Sequence, residues 1–207
     1  MRERGPFPIS RCLLGSSVRE QGLDLGRYTL SKLYMMDTLN AMDERTLREE
    51  LDRCCSSSVW VQSMVSSRPF ESVQHLLALA DEKWWGAGEI EWRRAFLAHP
   101  RIGDVNALKA KFAKNPDAWE GGEQSGADDA SEQILVDLKN GNDKYEARFG
   151  HIFLVCATGK SAGEMLDILR ERMPNSPRAE ILVAAGEQGK ITHLRLHKLL
   201  TACKSKL

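Results

Sequence analysis

Ala98-His99-Pro100-Arg101-Ile102-Gly103-Asp104 is the stretch whose residue types and order could do chemistry. Histidine is the side chain whose ordinary pKa lets it give or take a proton near neutral pH. Pro100 pushes the residue before it out of the α region, so the His99 backbone must leave the axis of any helix that delivers it. Gly103 permits a tight turn, and Asp104 can cap a helix that follows. The imidazole is therefore expected at the end of an element rather than packed along a face. Taken alone, a histidine before such a turn is more often structural or solvated than catalytic, with its suitability for proton transfer near neutral pH as the only warrant for a functional role.

The elements that must position it read as helices. From Thr38 onward Leu39, Met42, Leu47 and Leu51 recur at helical spacing, up to Cys54-Cys55 and a Ser56-Ser57-Ser58 turn. A short apolar segment, residues 59–65, ends before Arg68-Pro69. Val73, Leu76, Leu77 and Ala80 mark the next helix; Ile90, Arg94, Ala95 and Leu97 mark the one that delivers His99. Trp84, Trp85 and Trp92 are expected as core anchors, given the area each ring buries. Leu108 and Phe112 predict a short helix before Asn115-Pro116, and a polar, glycine-rich loop over 116–126 carries Glu123-Gln124. On local physics these two are solvated loop residues. Ile134, Leu135 and Leu138 predict a helix ending at Asn140-Gly141. Ser161-Ala162-Gly163-Glu164 reads as a capping box opening a helix with Leu166, Leu169 and Met173. Ser176-Pro177 then starts a long helix, with Ile181, Leu182, Ala185, Ile191, Leu194 and Leu199 as its apolar face. His151-Ile152-Phe153-Leu154-Val155-Cys156 stands apart: its β-branched and aromatic content favours a buried strand, yet nothing else in the chain reads as sheet.

Composition bounds the partners. At 207 residues the chain suffices for one domain with a real core. Its 29 Lys plus Arg balance 29 Asp plus Glu, which argues against a nucleic-acid or anionic-membrane surface. No apolar run is long enough to span a bilayer. The five cysteines (Cys12, Cys54, Cys55, Cys156 and Cys203) include no C-x-x-C, so neither a zinc site nor a disulfide framework is expected. Residues 1–34 are rich in proline and glycine and show no sustained period. Their five arginines suggest a targeting leader, against which Glu3, Glu20 and Asp24 weigh. Ser205-Lys206-Leu207 is the tripeptide read by the peroxisomal import receptor.

Five blocks fall in a familiar order: His99-Pro100-x-Ile102-Gly103 with Glu123-Gln124, preceded by Arg68-Pro69-Phe70 and followed by Tyr145-x-x-Arg148-Phe149-Gly150, Phe153-Leu154-Val155-Cys156-Ala157 and Leu194-Arg195-Leu196. Together they resemble the 2-oxo-4-hydroxy-4-carboxy-5-ureidoimidazoline (OHCU) decarboxylases of urate breakdown, across residues 36–200. The resemblance implies an all-α, single-domain helical bundle over 36–203. The composition of the residues before it reads as a poorly ordered extension over 1–35, or an upstream start that is not the main one in the cell, and the targeting tripeptide 205–207 follows. The strand-like segment is then a buried helical or extended stretch. The resemblance also implies a homodimer, and it agrees with the peroxisomal address read from Ser205-Lys206-Leu207, since urate oxidation is peroxisomal in many eukaryotes.

The chemistry follows from that resemblance. The family's substrate carries a carboxylate on a carbon next to a ring imine, so the imine itself accepts the electrons released with carbon dioxide. No metal or cofactor is required, only orientation, a placed proton and charge complementarity. The resemblance assigns His99 as catalytic acid. Glu123 holds the imidazole or hydrogen-bonds the substrate's hydroxyl and ring nitrogen, and a carboxylate there favours the protonated histidine. Pro100 and Gln124 contact substrate, Gln124 offering both donor and acceptor. Arg195 suits the substrate carboxylate through bidentate bonds, and without the resemblance is equally a surface ion pair. Phe153, Leu154, Val155, Cys156 and Ala157 contribute backbone contacts. One position departs: the family has a small hydroxyl residue three before the glutamate, where this chain has Glu120. Two other classes stay open, a hydrolase in which His99 and Glu123 activate water, and a non-catalytic helical adaptor of the peroxisome.

Overall fold

The computed structural model describes residues 34–99 and 126–204. Glu120, Glu123, Gln124, Pro100, the helix expected around Leu108 and the tripeptide 205–207 lie outside the described residues, as do residues 1–33. Among the described residues every regular element is a helix, as the all-α expectation required. They are α1 (34–40), α2 (Glu44–Cys54), α3 (Ser58–Ser66), α4 (Val73–Leu97), α5 (Gly126–Phe149), α6 (Ala162–Arg172) and α7 (Pro177–Lys204). None of these helices is long and apolar enough to cross a membrane.

Caps set where the helices begin. The run Leu39 to Leu51 is divided rather than continuous, because Asp43 caps α2 by accepting from the Thr46 amide at 3.0 Å. Ser57 caps α3 and donates to the buried Glu91 on α4 at 2.8 Å, tying one helix start to the next helix. The predicted capping box is present, with Ser161 accepting from the Glu164 amide while Glu164 accepts from the Ser161 amide.

One predicted division holds and one boundary moves. The helices read around Val73 and Ile90 are the two arms of α4, divided by a kink at Gly88, whose backbone is non-helical with φ of 80°. Across that kink the Trp92 indole donates to the Trp84 carbonyl at 2.8 Å. The helix expected to end at Asn140-Gly141 runs on to Phe149. Gly141 serves packing there: a Cβ at this position would stand 2.9 Å from Leu169 Cδ2 on α6. The helix ends instead at Gly150, whose φ of 70° and amide bond to the Glu146 carbonyl form a left-handed stop.

Two apolar clusters form the interior. The larger joins α1 to α4 with α7 and is fastened by indole bonds, Trp60 to the Ala80 carbonyl and Trp84 to the Ala185 carbonyl of α7. Trp84 and Trp92 are the expected anchors, but Trp85 is 47% exposed and packs edge-on against Trp92. Ile90, Leu97 and Leu182, read above as helix-marking apolar residues, are also exposed. The smaller cluster joins α5 and α6.

The strand-like segment threads between the clusters. Residues 152–157 carry no helix and no ladder. Phe153, Val155 and Ala157 pack into the α5–α6 cluster, while Ile152 and Leu154 pack into the larger one. Alternation of this kind is what an extended chain buried on both faces produces. Its polar groups find side chains where a sheet would supply backbone. Arg172 donates to the Leu154 carbonyl at 2.8 Å, the Cys156 amide donates to Glu187 at 2.7 Å, and Lys160 donates to the Cys156 carbonyl at 2.9 Å.

Candidate active site

His99 lies just past the end of α4, its amide still bonded to the Phe96 carbonyl at 3.1 Å. The ring crosses to α7, where Nε2 is 2.6 Å from Oε1 of Gln188. Gln188 is fully buried, and its own amide nitrogen donates to Thr192 Oγ1 at 3.1 Å. A residue earlier, Glu187 holds the Cys156 amide. Burial pushes the Glu187 carboxyl up, but the Lys190 hydrogen bond and the Cys156 amide outweigh it and hold the carboxyl below its usual range. One turn of α7 thus secures both the histidine and the extended segment.

Beside His99 is a cavity of about 170 Å³. Its walls come from α4 (Arg93, Phe96 and Leu97), from Glu146 on α5, and from residues 150–152. The cavity therefore opens where the two apolar clusters meet. Of the site residues expected from sequence it takes in His99, and its described lining stops at Ile152. Phe153, Leu154 and Cys156 are buried, Val155 and Ala157 half-buried, one step further along the same chain.

Arg195 sits two turns beyond Gln188 on α7. Its Nη1 donates to the carbonyls of Arg53 and Cys54, at 3.3 and 3.2 Å. A cation there complements the negative end of α2. A guanidinium has five N–H donors, so these two bonds through one nitrogen leave the fork able to take a carboxylate as well.

Behind the extended segment is a buried ion pair that sequence reasoning missed. Arg172 at the end of α6 donates to Glu180 at the start of α7, Nη2 to Oε1 2.5 Å, and its guanidinium lies over the Phe153 ring at 4.8 Å. The Tyr145 hydroxyl also donates to Glu180, and burial pushes that phenol well above its usual range. Asn175 donates to the other Glu180 oxygen at 2.7 Å. Each member is satisfied, as a buried charged network requires. Gln188 was missed as well, and the pattern that could have revealed it lies in α7 itself. Gln188, Thr192 and Arg195 stand at i, i+4 and i+7, a polar stripe along a helix read for its apolar face.

The family model described as OHCU decarboxylase matches residues 40–197. The chain belongs to the OHCU decarboxylase family. It is 37% identical over 157 residues to the uric acid degradation bifunctional protein TTL of Arabidopsis thaliana, covering 74% of this chain and 47% of that one. This chain thus spans less than half the length of that plant relative. The 2-oxo-4-hydroxy-4-carboxy-5-ureidoimidazoline decarboxylase of Halalkalicoccus jeotgali is 22% identical over 165 residues, covering 79% and 90% of the two chains. A crystal structure of an OHCU decarboxylase in the presence of (S)-allantoin superposes with a TM-score of 0.57 at 34% identity, covering 73% of this chain and 97% of that one.

Proposed function

We propose that this chain is a cofactor-independent decarboxylase that converts 2-oxo-4-hydroxy-4-carboxy-5-ureidoimidazoline to (S)-allantoin and carbon dioxide. The family match across residues 40–197 carries this reading, and the cavity at His99 supports it. As the carboxylate leaves, its bonding electrons pass into the ring imine. His99 then delivers a proton to one face of the intermediate, which fixes the hand of the product. Glu123, Gln124 and Pro100 orient the substrate in this reading, residues 153–157 contribute backbone contacts, and Arg195 pairs with the carboxylate.

The test is circular dichroism of allantoin formed from freshly generated substrate, wild type against His99→Asn. Uncatalysed decay gives racemic product, so optical activity reports the enzyme. The wild type is expected to give (S)-allantoin, and the variant to lose the signal, with a rate lower by about 100-fold or more. A wild-type signal equal to buffer overturns the reading; turnover without carbon dioxide release points to the hydrolase class instead.

The same reading places the protein in the peroxisome through Ser205-Lys206-Leu207, as a homodimer. Deletion of that tripeptide from a fluorescent fusion should abolish import, and sedimentation should give twice the 23.2 kDa of the protomer. A deleted fusion that still enters peroxisomes, or a particle of protomer mass, removes the corresponding part.

A further inference from the structure

We propose that Gln188 is the positioning residue of His99, fixing the ring and making Nδ1 the nitrogen that carries the transferred proton. The inference rests on the reading of His99 as proton donor. His99 has left its helix, whereas Gln188 is fully buried on α7 beside the residue that fastens the extended segment. Its two ends are taken in a consistent direction. Gln188 Nε2 donates to Thr192, so Oε1 faces His99 and accepts the Nε2–H at 2.6 Å. An amide oxygen accepts a hydrogen bond but not a proton at neutral pH, so Nε2 keeps its hydrogen throughout. The acid is then the doubly protonated ring. It gives up Nδ1–H, leaves as the neutral Nε2–H form, and regains its proton from water.

The side chain is rigid for the same reason it is placed: both polar ends are satisfied in a site closed to solvent. Misplacing a reacting group by about 1 Å costs about 100-fold in rate, and a neutral tether avoids adding a second charge beside an anionic substrate. Among the described residues, Arg93, Glu146 and His151 are the other titratable groups lining the His99 cavity, and none is on α7.

Two measurements test this separately. Nitrogen-15 labelling of the histidines should show a slowly exchanging ring N–H on His99 Nε2, assigned by its loss in His99→Asn. This readout needs no turnover, so it stands even if the decarboxylase reading fails. In kinetics, Gln188→Leu should lower kcat about 100-fold while KM changes by no more than about threefold. Gln188→Glu, which keeps the acceptor, should recover most of kcat with the pH–rate profile displaced upward. A His99 proton held on Nδ1 rather than Nε2, or a folded Gln188→Leu enzyme with wild-type kcat, overturns the proposal. Should Gln188→Leu fail to fold, the wild-type spectrum and Gln188→Glu decide.

Discussion

Two histidines meet at the cavity, and their surroundings give them opposite characters. His99 is half-buried and bonded to a neutral amide. His151 is 6% exposed, its Nδ1 3.1 Å from the Ile152 carbonyl and its ring packed among Phe96, Tyr145 and Phe149. Its Nε2 has no hydrogen-bond partner among the described residues. Burial holds the His151 pKa below its usual value, so the folded ring stays neutral where the unfolded one is protonated. The sign of the linkage follows. Above the unfolded pKa of about 6.5 neither state binds the proton; below it the unfolded state does, and stability falls until the folded pKa is reached. His151→Phe removes both the titration and the unpaired nitrogen, whose burial costs about 1–3 kcal/mol. Urea unfolding should therefore show a wild type that weakens from about pH 7 to pH 5 and a variant that weakens less. Parallel losses in the two proteins would mean that other groups control acid stability. His99 was legible because Pro100 and Gly103 mark a presented residue. His151 was not, because only its aromatic neighbours, distant in sequence, make it a buried one.

At the scale of elements, local signals that depend on one residue and its immediate neighbours were legible. The Ser161 capping box and the helix start at Ser176-Pro177 are of this kind, since each is complete within four residues. Signals that depend on a partner element were not. Gly141 reads as a stop, but α6 approaches so closely that a small residue is needed inside α5. Residues 151–156 read as a strand, and the propensity reported correctly on an extended, doubly buried backbone. It could not report that Arg172, Glu187 and Lys160 would replace the neighbouring strands. The candidate site divides in the same way. His99 and the extended segment were visible as motifs, whereas Gln188, Glu187 and the Arg172–Glu180 pair become functional candidates only once α7 is laid across the molecule.

At the scale of the whole molecule, the site lies on a seam. Among the described residues the larger apolar cluster has 25 buried members and the smaller one nine. With fewer buried side chains holding it, the α5–α6 unit should open at lower free energy than the body made by α2, α3, α4 and α7. Native-state hydrogen exchange is expected to show this directly. Slow amides of α5 and α6 should exchange together through a sub-global opening, ahead of those in α4 and α7. The cavity draws walls from α4 in the body and from Glu146 on α5, with residues 150–152 between, so a ligand seated there ties the two units. Saturation with (S)-allantoin at about 100 times its Kd should then slow the α5–α6 opening by up to about 100-fold, while the body is slowed only where it exchanges through the same opening. Equal exchange free energies in both units would show that the seam does not divide the fold. Protection spread evenly by allantoin would place the ligand elsewhere than across it.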